Sequence, residues 1–155
     1  MIKWRLTEVK GVPSWSSSNG KVALLGDAVH GMTPYTGQGS AMGIEDAAVL
    51  SHLLQTATPT SPLSPIMDRY EQVRRRRCEI VQYLASVQGR SWAAKDPARI
   101  DQRREMWRHA NDNITGKDVK SDMNANYGSR AFARWVVTFD VAEACGEGEG
   151  ARARL

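Results

Sequence analysis

The segment from Lys21 to Leu54, KVALLGDAVHGMTPYTGQGSAMGIEDAAVLSHLL, constrains the fold more than any other part of the chain. It begins with the short apolar run Val22 to Leu25, which ends at Gly26 and is typical of a strand buried on both faces. A glycine-rich turn then opens a run of good helix formers that continues without a breaker to Leu54. The sequence therefore predicts a strand, a turn and a helix in succession.

Asp27 follows the predicted strand, at the end where open α/β sheets bind their ligands. A carboxylate there can accept hydrogen bonds from a sugar or polyol hydroxyl, but a plain turn-forming aspartate is equally compatible with this position. The glycines at 37, 39 and 43 open the helix, whose first N–H groups favour an electron-rich ligand. Their GxGxxxG spacing is not the dinucleotide fingerprint GxGxxG, so packing or capping also explains them.

The whole string GDAVHGMTPYTGQGSAMGIEDAAVL resembles the second flavin-binding motif of the FAD-dependent aromatic hydroxylases, the flavoprotein monooxygenases that include salicylate hydroxylase. The family pattern reads GDAxH, then Pro, then GQGxxxGxEDA, and the chain carries each of these residues in order. A looser resemblance extends over Trp15 with Gly20 to Val22, over Tyr70 to Gln82, and over Trp135 to Asp140.

The resemblance implies an FAD site. Asp27 would hold the ribityl chain, Gly26 would let the cofactor lie against the backbone, and Pro34 would pack near the isoalloxazine ring. The pyrimidine edge of the flavin would face the turn and the first helical residues, which are Gly37, Gln38, Gly39, Ser40 and Ala41. A helix N-terminus suits this edge because the reduced ring carries negative charge there.

We assign no catalytic residue from the sequence and no metal site. His30 is interpreted as a residue packed behind the turn rather than as a general base. Glu45 and Asp46 are interpreted as acidic partners of the helix dipole. Tyr35 could line a substrate pocket or cover the flavin ring, and the sequence leaves both roles open.

The 155 residues suffice for one domain with a core. They are too few for a complete FAD-dependent aromatic hydroxylase. In that family a GxGxxG motif after a strand binds the ADP half of FAD, and this chain has no such motif after a predicted strand. It also lacks the family's intermediate DG motif. We therefore expect residues 1–145 to form the C-terminal part of an FAD-binding monooxygenase domain, and residues 146–155 a flexible tail. The expected fold is an α/β remnant, mostly α-helical, with a short buried strand that leads into the flavin-facing helix.

A long amphipathic helix is predicted from Pro65 to Gln88, and Gly89 should end it. Its apolar stripe consists of Ile66, Tyr70, Val73, Ile80, Leu84 and Val87, with Arg77 interrupting it. Such a stripe needs a partner, either a missing N-terminal FAD-binding half or a second copy of the chain.

The outer segments give weaker signals. Ile2 to Val9 alternates imperfectly and suggests an edge strand, and Trp15 is expected to anchor the loop after it. Asp96 and Pro97 should cap and begin a polar helix that runs to about His109. The composition of residues 111–126 predicts a loop, and residues 129–144 look helical.

The formal net charge of +4 comes largely from the arginines of residues 74–77 and 99–108. We interpret them as solvated helix faces and not as a nucleic-acid surface. Cys78 and Cys145 make no CxxC pair and no ligand cluster, which favours reduced thiols. With no signal segment and no stretch of membrane-spanning length, we expect a cytoplasmic protein.

Two functions fit the sequence. The resemblance implies hydroxylation of an aromatic or similar small molecule by an FAD enzyme that uses NAD(P)H and O2, with this chain contributing the ribityl- and isoalloxazine-binding motif. The alternative is a catalytically inactive helical interaction module derived from the same fold.

Overall fold

The computed structural model describes residues 5–112, 123 and 129–146. The elements in this part of the chain are α1 (Asp27–His30), a 3-10 turn (Pro34–Thr36), α2 (Gly39–Leu54), α3 (Ser64–Ala93), α4 (Pro97–Asp112), α5 (Arg130–Val137) and α6 (Val141–Ala144). These residues divide into two compact units, the first formed by residues 5–88 and 141–146 and the second by the described part of 89–140. The predicted cofactor residues all lie in the first unit.

Helix α2 covers the residues for which the sequence predicts a helix. Its buried side chains are Met42, Asp46 and Val49, whose spacing of four and three residues places them on one face. The opposite face carries Ile44, which is 70% exposed. Helix α6 packs against α2 within the first unit.

Helix α3 begins one residue before the predicted start and continues past the predicted end. Gly89 is buried in it and does not break it, because one glycine costs a helix interior only about 1 kcal/mol. Tyr70 and Leu84 of the predicted stripe are buried, but the core face also contains Met67, Arg74, Arg77, Cys78 and Val81. The buried face is thus rotated from the predicted one, and much of the stripe is already covered within a single chain.

Polar side chains of α3 hold the coil that precedes α2. The Tyr70 hydroxyl donates to the Leu24 carbonyl at 3.1 Å, and Glu71 Oε2 accepts from the Trp15 N–H at 2.8 Å. Gln82 Nε2 donates to the carbonyls of Val9 and Gly31 at 2.7 and 3.1 Å. Side chains of α3 therefore make the hydrogen bonds to these backbone groups that neighbouring strands would make in a sheet.

The prediction of a strand over Val22 to Leu25 is wrong. The described residues form no β-strand, only an isolated antiparallel bridge between Ser16 and Ala23. The predicted burial on both faces is also wrong, because Val22 is 58% exposed and Leu25 is 42% exposed. A buried strand needs neighbours along both edges, and within residues 5–112 this segment pairs only with residues 15–17.

The segments at either end differ from their predictions in detail. Of the edge strand predicted from Ile2 to Val9, residues 2–4 lie outside the described residues, and residues 5–9 form no strand. In the second unit, Asp96 caps α4 by accepting from the Ala98 N–H at 3.1 Å, as predicted, and α4 continues beyond the predicted end. Ser129 caps α5, and the helix predicted over residues 129–144 is split by extended backbone that begins at Thr138.

Trp15 anchors its loop in the core, which confirms the sequence prediction. The side chain is 2% exposed. Its ring centroid lies 5.6 Å from that of His30 and 5.7 Å from that of Tyr70, and the Arg75 guanidinium lies 5.5 Å from the ring centroid. These aromatic and cation contacts join the loop, α1 and α3.

The loop predicted over residues 111–126 and the flexible tail predicted over residues 146–155 fall mostly outside the described residues. The boundary drawn at residue 145 therefore stays a prediction. Among the helices of the described residues, none combines the length and apolar character needed to cross a membrane.

Candidate functional site

The predicted cofactor residues lie in three consecutive turns that precede and begin α2. Gly26 and Asp27 stand at the start of α1, and Pro34 opens the 3-10 turn. The others follow at the junction with α2 and over its first turn, namely Gly37, Gln38, Gly39, Ser40 and Ala41. The fold thus keeps all eight residues on one continuous stretch of backbone.

Gly26 has a backbone conformation that other residues rarely adopt. Its φ is 59° and its ψ is −140°, and no atom lies within 4 Å of the position that a Cβ would occupy. The Gly26 carbonyl accepts from the N–H groups of Val29 and His30 at 3.1 and 3.0 Å, which closes α1. Asp27, the first residue of α1, is exposed. The turn therefore has open space next to the Gly26 backbone, and the residue that follows carries an exposed carboxylate that can accept hydrogen bonds.

Gly37 has the same two properties. Its φ is 66°, its N–H donates to the Pro34 carbonyl at 3.0 Å, and open space surrounds the Cβ position. Gln38 is the N-cap of α2 and makes no side-chain capping hydrogen bond. The first N–H groups of a helix have no partner within the helix, so this terminus keeps its capacity to donate to a ligand.

A buried ionic cluster contacts Gly26 and α1 from the side of α2 and α3. Asp46 Oδ2 accepts from the Gly26 N–H at 2.9 Å and from His30 Nε2 at 2.5 Å, and Asp46 Oδ1 accepts from Arg74 Nε at 2.8 Å. Arg74 is completely buried, as is Asp46. One carboxylate therefore connects α1, α2 and α3.

Glu45 completes the cluster. Its Oε2 accepts from Arg74 Nη1 at 2.5 Å and from Arg77 Nε at 2.6 Å, and its Oε1 accepts from Arg77 Nη2 at 2.7 Å. Arg74 Nη2 also donates to the Met42 carbonyl at 3.2 Å. Two carboxylates of α2 thus face two guanidinium groups of α3, and Arg77 binds Glu45 through two nitrogens, a bidentate contact that suits arginine.

Two sequence interpretations are corrected by this cluster. Glu45 and Asp46 bind buried cations of another helix, so their role is not that of dipole partners. Arg74 and Arg77 are 0% and 6% exposed, so they are not solvated. The run of four arginines does fan around the helix, since Arg76 is exposed. The missed signal was the spacing of Tyr70, Arg74 and Arg77, which is that of an inward helical face.

The environment of Asp46 keeps it ionised. Burial would raise its pKa, but hydrogen bonds from His30, Arg74 and Gly26 outweigh burial and lower the pKa below the ordinary value. An ionised carboxylate only accepts, so His30 Nε2 must carry the hydrogen of their contact. Among the described residues His30 Nδ1 has no hydrogen-bond partner. The predicted packing of His30 behind the turn is confirmed by its 1% exposure.

Stability should fall in acid because of this lowered pKa. The unfolded state binds a proton on Asp46 at higher pH than the folded state does, so the contribution of Asp46 is complete above its unfolded pKa, near 4, and is lost as pH falls through the folded pKa. Urea unfolding midpoints measured from pH 6 to pH 2 should therefore decrease below about pH 4. A midpoint that stays constant to pH 2 would contradict the ionised state of Asp46.

Cys78 lies beside the cluster and forms a group of close donor atoms with His30 and Asp46, all within 4.8 Å of one another. Burial raises the pKa of the Cys78 thiol to about 12, and Arg74 Nη2 lies 3.6 Å from its sulfur. A neutral thiol and a neighbouring guanidinium are poor surroundings for a metal cation. The group functions as part of the ionic core.

Glycine turns and a helix N-terminus without a side-chain cap are features with which proteins can receive an electron-rich ligand. Comparison with known proteins shows that residues 11–84 match the family model described as FAD binding domain. Over these residues the chain matches this family, and its sequence is related to those of FAD-dependent monooxygenases, salicylate hydroxylase among them.

Three relatives illustrate the similarity. The FAD-dependent monooxygenase nanF of Aspergillus nanangensis is 35% identical over 130 residues, which are 79% of this chain and 27% of nanF. The 6-methylsalicylate 1-monooxygenase of Aspergillus terreus is 32% identical over 76% of this chain and 26% of its own length. Salicylate hydroxylase of Pseudomonas putida is 34% identical over 61% of this chain and 21% of its own length.

The chain thus spans about a quarter or less of the relatives it matches. Among solved structures, a salicylate hydroxylase substrate complex matches with a TM-score of 0.55 and 23% identity, over 88% of this chain and 28% of that one. This likeness shows that the chain shares the fold of part of that structure.

Proposed function

We propose that this chain supplies the ribityl- and isoalloxazine-facing side of an FAD site in a monooxygenase that hydroxylates an aromatic small molecule with NAD(P)H and O2. When bound, FAD would supply the redox chemistry, and the protein would orient the cofactor and set its electrostatic surroundings. We assign the ADP half of the cofactor to other parts of the flavoprotein.

The observation that carries the proposal is the pair of open glycine positions. At Gly26 and Gly37, as at Gly11, the backbone has positive φ and a Cβ would meet no atom within 4 Å, but only Gly26 and Gly37 lie beside Asp27 and the start of α2. A flat ring or a sugar chain can approach main-chain atoms at such positions. Between them lies Asp27, and after them comes the N-terminus of α2. The residues therefore fit a flavin.

Each predicted residue keeps a role that its surroundings allow. The exposed carboxylate of Asp27 would accept hydrogen bonds from ribityl hydroxyls. Pro34 is exposed at the 3-10 turn and would contact the ring. The N–H groups of Gly39, Ser40 and Ala41 would donate to the pyrimidine edge, where the helix dipole stabilises negative charge.

The experiment that tests the proposal uses riboflavin, which contains the ring and ribityl chain but no ADP. We expect riboflavin to shift the amide NMR signals of Gly26, Asp27, Gly37 and Gly39 in the isotope-labelled 155-residue chain, whereas ADP should leave them unchanged. NMR titration detects millimolar affinity, which is needed because the chain alone should retain FAD weakly.

The Asp27→Ala variant should raise the riboflavin dissociation constant about tenfold, because hydrogen bonds to a charged acceptor contribute about 1.5–3 kcal/mol. Asp68→Ala is the matched control, since Asp68 is equally an exposed aspartate but lies on α3. Equal affinities of the two variants, or shifts caused by ADP instead of riboflavin, would refute the proposed site.

A further inference from the structure

We infer that Asp46 and Arg74 form a positioning pair that holds the Gly26 and Asp27 turn in the conformation that receives the flavin. This inference rests on the proposed function. Neither residue is among those predicted to touch the cofactor, and both are completely buried. They act on the turn from the protein interior, through the hydrogen bond between Asp46 and the Gly26 N–H.

Asp46 holds both ends of α1 with one oxygen atom. Its Oδ2 accepts from the Gly26 N–H, which precedes the helix, and from His30 Nε2, at its last residue. The four residues of α1 are too few to be stable alone, because a single helical turn costs more in conformational entropy than its hydrogen bonds return. The carboxylate therefore determines where α1 begins and in which direction Asp27 is presented.

Glycine makes this support necessary. Gly26 can adopt many backbone conformations, and the observed one at φ 59° and ψ −140° must be selected by contacts. Within residues 5–112 its N–H has one hydrogen bond, the one to Asp46. Loss or rotation of that carboxylate would release the turn, and Asp27 follows Gly26 directly in the chain.

Arg74 fixes the direction of the carboxylate. Its Nε binds Asp46 Oδ1 at 2.8 Å while Nη1 binds Glu45 and Nη2 donates to the Met42 carbonyl, so the guanidinium is held to α2 at three points. With Oδ1 bound to this group, Oδ2 points to Gly26. A lysine ammonium keeps the charge but cannot bind three separated acceptors in one plane.

The test compares Arg74→Lys with Arg77→Lys in the full 155-residue chain. Arg77 is the matched control because it is buried, lies one turn away on the same helix and binds Glu45 of the same cluster. The readouts are the NMR shift and hydrogen exchange of the Gly26 amide without ligand, the riboflavin dissociation constant, and the urea midpoint as a separate measure of global stability.

We expect Arg74→Lys to shift the Gly26 amide signal, to accelerate its exchange and to raise the riboflavin dissociation constant about tenfold, whereas Arg77→Lys changes that constant less than twofold at a similar urea midpoint. Wild-type affinity in a folded Arg74→Lys chain would overturn the positioning role, as would equal weakening by both variants. If Arg74→Lys does not fold, an Asp46→Asn chain with an unaltered Gly26 signal and riboflavin affinity would overturn it. Absence of riboflavin shifts in the wild-type chain would instead overturn the proposed function.

Discussion

Replacing Arg74 by methionine is expected to lower the free energy of unfolding of the first unit by about 3–5 kcal/mol. The side chains are similar in length, so the substitution removes the charge without a large cavity. What remains is the completely buried carboxylate of Asp46 without its guanidinium partner, and the carboxylate of Glu45 with Arg77 but without Arg74. An uncompensated buried charge costs far more than a surface ion pair contributes.

Arg76→Met provides the control for this prediction. Arg76 lies two residues further along α3, is exposed, and loses the same charge on substitution, so its effect should stay within about 0.5 kcal/mol. Urea unfolding followed by tryptophan fluorescence measures both variants, since Trp15 is buried in the same unit. A loss below about 1 kcal/mol for Arg74→Met would show that Arg74 is not required to balance these carboxylates.

Local sequence signals predicted the parts of the site that depend on neighbouring residues. The beginning of α2 follows from three glycines and an unbroken helical run, and the N-cap at Asp96 follows from one dipeptide. The positions of Gly26 and Gly37 in tight turns also follow, because positive φ is a property that glycine alone adopts without strain. Each of these signals lies within a few residues of the feature it predicts.

The ionic cluster depends instead on residues 16 to 32 positions apart. Asp46 and Arg74 lie on different helices, and each has an ordinary solvated interpretation when its helix is considered alone. In the sequence, the apolar residues of α3 predict its inward face. That prediction assigns Val73 and Ile80 to the core and the arginines to solvent. The structure shows Arg74 and Arg77 inside, because α2 brings two carboxylates to meet them.

The predicted strand failed for a related reason. An apolar run such as Val22 to Leu25 is compatible with a sheet interior only where other strands lie along both of its edges. Tyr70 reaches the Leu24 carbonyl from α3, and residues 15–17 provide the one neighbouring segment found in the described part of the chain. Local propensity therefore predicted an extended backbone at these residues but could not predict its pairing.

Gly20→Ala should be the other strongly destabilising substitution, with a loss of about 2–5 kcal/mol in the free energy of unfolding. Gly20 has a φ of 68° and closes the turn after Ser17, whose carbonyl accepts its N–H at 2.8 Å. A Cβ at this position would lie 2.5 Å from the backbone nitrogen of Ser64 and 2.6 Å from the carbonyl carbon of Leu63. Backbone atoms at the start of α3 cannot move aside as a flexible side chain can, so the loop and the helix must separate.

Gly11 isolates the steric part of this effect. It has nearly the same φ, 69°, but no atom lies within 4 Å of its Cβ position. Gly11→Ala therefore pays only the cost of the left-handed conformation, about 1–2 kcal/mol, and the difference between the two variants measures the contact between the turn and α3. Equal urea midpoints for the two alanine variants would show that Gly20 does not lie against the backbone of α3, and that α3 does not hold the coil leading to the Gly26 turn at this point.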